Sequence, residues 1–195
     1  LAGRPREFDR DEALKRIQAA FWTRGYEGTS MADLVEATGL ASARLYAAFG
    51  SKDAMFRAAV ERYERVEGGF ADRALVEEPT ARRALERMLR DAVDVYTSPQ
   101  PRGCMVVSAA TNCSSDNDAV REWLEQHRKQ RTRSITARLR SAVATGELRS
   151  DTNVQALGDA FAALLHGLSV QGRDGVPRRR LLALIGPAMT MLTNA

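Results

Sequence analysis

Apolar residues recur three and four apart along most of the chain, the spacing of one buried face of a helix. Ala13, Leu14, Ile17, Ala20 and Phe21 predict a first helix, capped by Asp9 or Asp11 and stopped after Arg24 by Gly25. Met31, Leu34 and Val35 predict a short helix from Met31 to Ala37, with Thr29 or Ser30 as its cap. Leu45 and Phe49 predict another from about Ser42 to Phe49. Between these two, Thr38-Gly39-Leu40 breaks the period. Gly39 suits a turn of positive φ, which glycine adopts without a Cβ clash. Two short helices about a glycine turn form a helix-turn-helix unit, so residues 1–50 predict a three-helix head.

Ser51 is a natural cap for a longer helix, about Lys52 to Gly68, carrying Met55, Phe56, Ala59, Val60 and Tyr63. It is long enough to leave the head and enter a second, larger helical domain, residues 51–195. Thr80 caps a predicted helix from Ala81 to Tyr96. The run CMVVSAA, Cys104 to Ala110, is rich in strand-favouring valine, yet no partner strand is present; it reads as one or two buried helical turns. Ser114-Ser115-Asp116 caps a long helix to Thr145, with Val120, Trp123, Leu124, His127, Ile135, Leu139 and Val143 inside. Its basic middle, Arg128 to Arg133, is expected to face water or an acidic partner. Two further helices follow, Val154 to about Gly172 and Pro177 to about Leu192, the second bent or interrupted at Gly186-Pro187. The fold class is therefore all-α. The last two helices carry more leucine than one small core needs. They predict a two-fold homodimer through Leu157, Phe161, Leu164, Leu168, Leu181, Leu184, Ile185 and Met189.

Composition narrows the chemistry. The 195 residues carry a net charge of +4 and a pI near 9.4, mildly basic and compatible with nucleic acid. Two cysteines and two histidines match no disulfide scaffold and no structural zinc spacing, and no cofactor or metal is expected. The N-terminus has no apolar signal core and no run is long enough to span a membrane, so the expectation is a cytoplasmic protein. Paired carboxylates, glycine-rich phosphate loops and nucleophile elbows at useful spacing are missing, which speaks against an enzyme.

The basic residues favour a DNA-binding head over a helical protein-interaction adaptor. Arg4 and Arg6 lie in a short arm that Pro5 keeps extended, suited to phosphates or a minor groove. The exposed face of the second short helix carries Ser42, Arg44 and Ala48, and arginine can donate two bonds to guanine in a major groove. Lys52 sits in the first turn of its helix, where the dipole gives a cation nothing, and a DNA phosphate would compensate it. Thr29 would lie close enough for its hydroxyl to meet a phosphate. A two-fold dimer presents two such helices, so the expected partner is double-stranded DNA with an inverted repeat.

These residues resemble the TetR/AcrR family of bacterial one-component regulators. The likeness runs from the GRPRxF arm through Phe21, Gly25-Tyr26, Thr29-Ser30, Leu34, Ala37, Gly39-Leu40, Leu45-Tyr46, Phe49, Lys52 and Phe56. A weaker likeness to one subgroup continues in Arg102-Gly103-Cys104-Met105, Gly146-Glu147-Leu148 and Leu165-His166-Gly167-Leu168. The resemblance implies a helix-turn-helix head joined to a helical ligand-binding and dimerisation domain. It implies a repressor released from a palindromic operator by a small-molecule effector. It assigns phosphate contacts to Thr29, Tyr46 and Lys52, and base-facing positions to Ser42, Ala43 and Arg44. The chain departs from the pattern at Ala41, Ala47 and Ala48, where the family often has a hydroxyl, an aromatic and a histidine. The reading surface is therefore sparse, and Arg44 is its main specificity candidate. The effector pocket is expected among Tyr63, Met88, Tyr96, Met105, Trp123, His127, Phe161 and His166, with His166 conspicuous in a leucine- and alanine-rich stripe. Cys104 and Cys113 carry an alternative, a redox or metal sensor, against an ordinary role as small apolar fillers.

Overall fold

The computed structural model describes residues 8–99, 103–110 and 117–193. The arm with Arg4 and Arg6, the Ser114-Ser115-Asp116 cap and Cys113 lie outside the described residues. The rest is helical: α1 (Arg10–Arg24), α2 (Met31–Thr38), α3 (Ser42–Phe49), α4 (Lys52–Arg65), α5 (Phe70–Glu77), α6 (Ala81–Tyr96), α7 (Met105–Ala110), α8 (Asp118–Ala144), α9 (Val154–Arg173), α10 (Arg178–Leu182) and α11 (Ile185–Met189). No strand occurs among the described residues.

Local chemistry sets several helix starts. Asp9 caps α1 by accepting from the backbone N–H groups of Asp11 and Glu12 at 2.9 and 3.1 Å. Ser30 and Asp33 form a reciprocal capping box at the start of α2. The serine bonds hold the Asp33 carboxyl below the usual carboxylate range, with Arg24 assisting. Ser51 caps α4 and Thr80 caps α6. Gly39 ends α2 at φ 70°, and a Cβ there would meet nothing within 4 Å; its backbone conformation alone calls for glycine.

Two apolar clusters fill the molecule. One joins α5, α6, the second half of α8, α9, α10 and α11. The other holds α1 to α4 and extends past the head to Met105, Val106 and Ala109 of α7 and to Val120 and Leu124 of α8. Its centre is aromatic: Phe21 meets Phe56 edge to face at 5.1 Å, and Tyr26 meets Phe56 at the same distance. The short α7 is therefore a structural part of the head, although α4, α5 and α6 separate it in sequence from α3.

The stretch between Gly68 and Thr80, for which the pattern predicts no helix, holds the eight-residue α5. Phe70, Ala71, Ala74 and Leu75 make one buried stripe that packs it on α6. The last helix is interrupted, as Gly186-Pro187 predicts: it divides into α10 and α11 ahead of Pro187, which lacks the N–H that would bond the Ala183 carbonyl. The leucine excess serves the protomer itself: Phe161, Leu168, Leu181, Ile185 and Met189 are buried in its own core and offer no surface to a second copy. Leu157 and Leu164 are half-buried against that core, and Leu184 is exposed. The outward face of α9 carries small apolar residues, Ala156, Ala160, Ala163, Gly167 and Val170, spaced four and three apart.

Candidate nucleic-acid interface and buried cavity

The helix-turn-helix presents one face of α3. Leu45 and Phe49 point into the head, while Ser42, Ala43 and Tyr46 are exposed and Arg44 is half-buried. Ala41 is the N-cap of α3 and makes no side-chain cap bond; Ser42 is the first helical residue and keeps its hydroxyl outside. The Arg44 guanidinium stacks over the Phe8 ring at 5.1 Å, which orders it at the edge of the face. Arg10 does the same over Phe49 at 4.7 Å. Tyr46 is 47% exposed, an amphipathic ring with its hydroxyl available. Lys52 lies over the Tyr26 ring at 4.5 Å, so part of the compensation sought for its charge is an aromatic face within the protein.

Thr29 differs from its expected role. It is fully buried, and its hydroxyl donates to the Gly25 carbonyl at 2.7 Å. That bond ties the turn after α1 to the start of α2 and leaves none of the side chain for a phosphate.

The larger domain encloses a cavity between α4, α6, α7, α8 and α9. It leaves about 40 Å³ for the centres of water-sized molecules. Four of the expected residues line it: Tyr63, Tyr96, His127 and His166. Met88 and Phe161 are core of the large cluster, and Met105 is core of the head cluster. Trp123 packs edge to face on Phe56 at 6.4 Å and on His127 at 4.3 Å, with Arg57 over its ring, so its surface is spent on structure.

Several lining residues were not anticipated. Arg128 and Arg131 reach the cavity from the supposed solvent face of α8, and Arg131 also pairs with Asp72 of α5. The signal was present: Val120, Leu124, His127, Arg128, Arg131 and Ile135 continue one helical stripe, with polar residues replacing apolar ones where the cavity lies. Phe70 and Val107 add apolar wall, and Cys104 lies beside both phenols.

The electrostatics of the cavity are dominated by donors. Burial, with Cys104 and Tyr96 adjacent, pushes the Tyr63 phenol well above its ordinary range, so it stays protonated. Burial does the same for Tyr96. His166 is shifted down by burial and by Arg128, which favours the neutral ring. Glu64 accepts from His127 Nδ1 at 2.7 Å and links α4 to α8 in the cavity wall.

The head is fastened to this region by side chains. Trp22 Nε1 donates to the Gly103 carbonyl at 3.1 Å. Arg173 of α9 donates to the Thr23 carbonyl at 3.1 Å. Buried Gln18 of α1 donates to Glu67 and accepts from Arg62 of α4. Among the described residues no group of histidine, cysteine and carboxylate side chains is arranged to hold a metal ion, and no helix is long and apolar enough to cross a membrane.

Comparison with known proteins decides the family. Residues 14–59 match the family described as bacterial regulatory proteins, tetR family, and residues 79–173 match the tetracyclin repressor-like C-terminal domain. The chain is 32% identical over 191 residues to the HTH-type transcriptional repressor ComR of Escherichia coli (strain K12), covering 97% of this chain and 91% of the relative. This chain belongs to the TetR family. Among solved structures it is similar to a cysteine-substituted form of the TetR family transcriptional regulator CifR complexed with 26-bp double-strand operator DNA. The two share 43% identity and a TM-score of 0.91 over 96% of this chain and 98% of that one. A putative TetR transcriptional regulator from Rhodococcus sp. RHA1 follows at 35% identity and a TM-score of 0.65, covering 92% and 97%. The chain is thus a TetR-family transcriptional regulator along its whole described length.

Proposed function

We propose that this regulator is a repressor that holds an inverted-repeat operator as a homodimer and releases it when a small molecule enters the cavity. The observation that carries the reading is the membership of α7. Met105, Val106 and Ala109 are packed in the head, while Val106 and Val107 line the cavity. A ligand that displaces α7 therefore changes the core on which α1 rests. The similarity to a repressor, ComR, and to CifR in complex with operator DNA supports the DNA-binding half of the reading.

Arg44, Ser42 and Ala43 would face bases, and Tyr46 and Lys52 would face phosphates, with the arm residues Arg4 and Arg6 reaching along the duplex. The dimer seam is the small-residue face of α9, bordered by Leu157 and Leu164, with Leu184 exposed on the neighbouring segment. Small residues let two helices approach closely, and the two copies of α3 then meet successive grooves. Release follows as a population shift: the ligand favours a head orientation that no longer fits both half-sites. Selection of bound duplexes from a random DNA pool tests the reading. An inverted repeat is expected, and sequence-independent binding alone would overturn it.

A further inference from the structure

Tyr63 is 1% exposed, and its buried hydroxyl oxygen makes no hydrogen bond of ordinary geometry to the described residues, with the Cys104 thiol and the Met105 backbone N–H as its nearest polar neighbours. A buried hydroxyl of this kind costs free energy until something accepts its proton. The oxygen belongs to a residue that lines the cavity, alongside Tyr96. The facing wall supplies His127, Arg128, Arg131 and His166, all able to donate. Glu64 is the one carboxylate in the lining, and His127 already occupies it at 2.7 Å. Asp72, which pairs with Arg131, is not part of the lining. The wall therefore carries two guanidinium groups, one of them paired with Asp72, and a single carboxylate that His127 engages. The space is small, with about 40 Å³ open to the centres of water-sized molecules. Phe70, Val106 and Leu165 make the remaining surface apolar.

We infer that the cavity takes a small monocarboxylate, its carboxylate oxygens accepting from the Tyr63 hydroxyl and the arginine-bearing wall of α8 and its short carbon chain lying on the apolar side. The inference rests on the reading of this cavity as the effector site. Acceptance by the carboxylate satisfies the phenol, and charge-assisted bonds of this type are about twice as strong as neutral ones. The amide of the same acid has the same shape but lacks the charge, so the cavity discriminates between the two.

Propionate and propionamide are the probes, titrated calorimetrically into the full chain and into Tyr63→Phe. That substitution removes an unsatisfied buried hydroxyl and keeps the ring, so the free variant melts at or above the wild-type temperature. Propionate is expected to bind at least about tenfold more tightly than propionamide, and Tyr63→Phe to lose most of that preference. Equal affinity for acid and amide, unchanged propionate binding in Tyr63→Phe, or no propionate binding in the millimolar range would each overturn the inference. An operator duplex recovered by selection separates this from the functional reading. Propionate that binds through Tyr63 without releasing the operator leaves the ligand class standing and removes the effector role. Operator binding by a protein that ignores propionate does the opposite.

Discussion

The indole N–H of Trp22 and the carbonyl of Gly103 meet at 3.1 Å across 81 residues of chain. Trp22 is the buried end of α1 in the head, and Gly103 immediately precedes Cys104 in the cavity wall. The bond is a direct mechanical link between the DNA-binding unit and the cavity. Trp22→Phe keeps most of the ring contact with Tyr63 and removes the donor. It should cost about 1–3 kcal/mol of stability in urea unfolding, the usual penalty for leaving a buried acceptor unpaired. The same variant should hold operator less responsively to ligand, measured as a smaller shift in the operator-binding curve.

Gly103→Ala tests the other side of that link. Gly103 has φ +65°, and a Cβ there would lie 2.4 Å from the Ser169 carbonyl oxygen. The backbone conformation alone should cost about 1–3 kcal/mol, and the clash adds to it. The clash also disturbs the bond from Cys104 N–H to Ser169 Oγ at 2.7 Å. A thermal melt indistinguishable from wild type would contradict this account of the α7–α9 junction.

Arg44→Ala should reduce discrimination against a changed guanine in the operator by roughly 1–3 kcal/mol, with a smaller effect on random DNA. Lys52→Gln should weaken specific and random binding alike and lower the slope of log affinity against log salt by about one phosphate. Titrations at several salt concentrations separate the two behaviours.

Ala163→Glu places a charge in the small-residue seam of α9 without disturbing the protomer core, because Ala163 is exposed in the single chain. Sedimentation should change from dimer to monomer while the circular dichroism spectrum stays helical. A variant that remains dimeric would move the interface away from α9.

Asp33 makes a pH prediction. Its carboxyl is held below the ordinary value of 3.8, first by Ser30. A folded-state value below the unfolded one means that the carboxylate stabilises α2 above pH 3.8 and that this contribution fades as pH falls further. Wild type should exceed Asp33→Asn in melting temperature at neutral pH, and the gap should close in acid.

The head was legible in the sequence because its instructions are local. Ser30 with Asp33, Gly39 at its turn, and the Leu45–Phe49 stripe each act within a few residues. The cavity was half legible. Tyr63, Tyr96, His127 and His166 stand out by type, yet Met88, Met105, Trp123 and Phe161 are of equally suggestive type and prove to be packing. What separates them is the rotation of each helix about its axis, set by contacts distant in sequence. Thr29 fails for a similar reason, since only the folded turn reveals the Gly25 carbonyl beside its hydroxyl. Phe161, Leu168, Leu181, Ile185 and Met189 are protomer core, because leucine content measures how much surface is buried without saying which protein buries it.

The double membership of α7 constrains how this regulator can evolve. Changes at Met105 or Ala109 alter the foundation of the head and therefore basal operator occupancy, whatever the ligand. Val107 is half-buried, lines the cavity and is absent from the head cluster. On the proposed reading of the cavity as the effector site, altered ligand preference is most accessible through Val107 and the facing positions of α8 and α9. Drift elsewhere in α7 would first be felt as a leaky or permanently silent promoter.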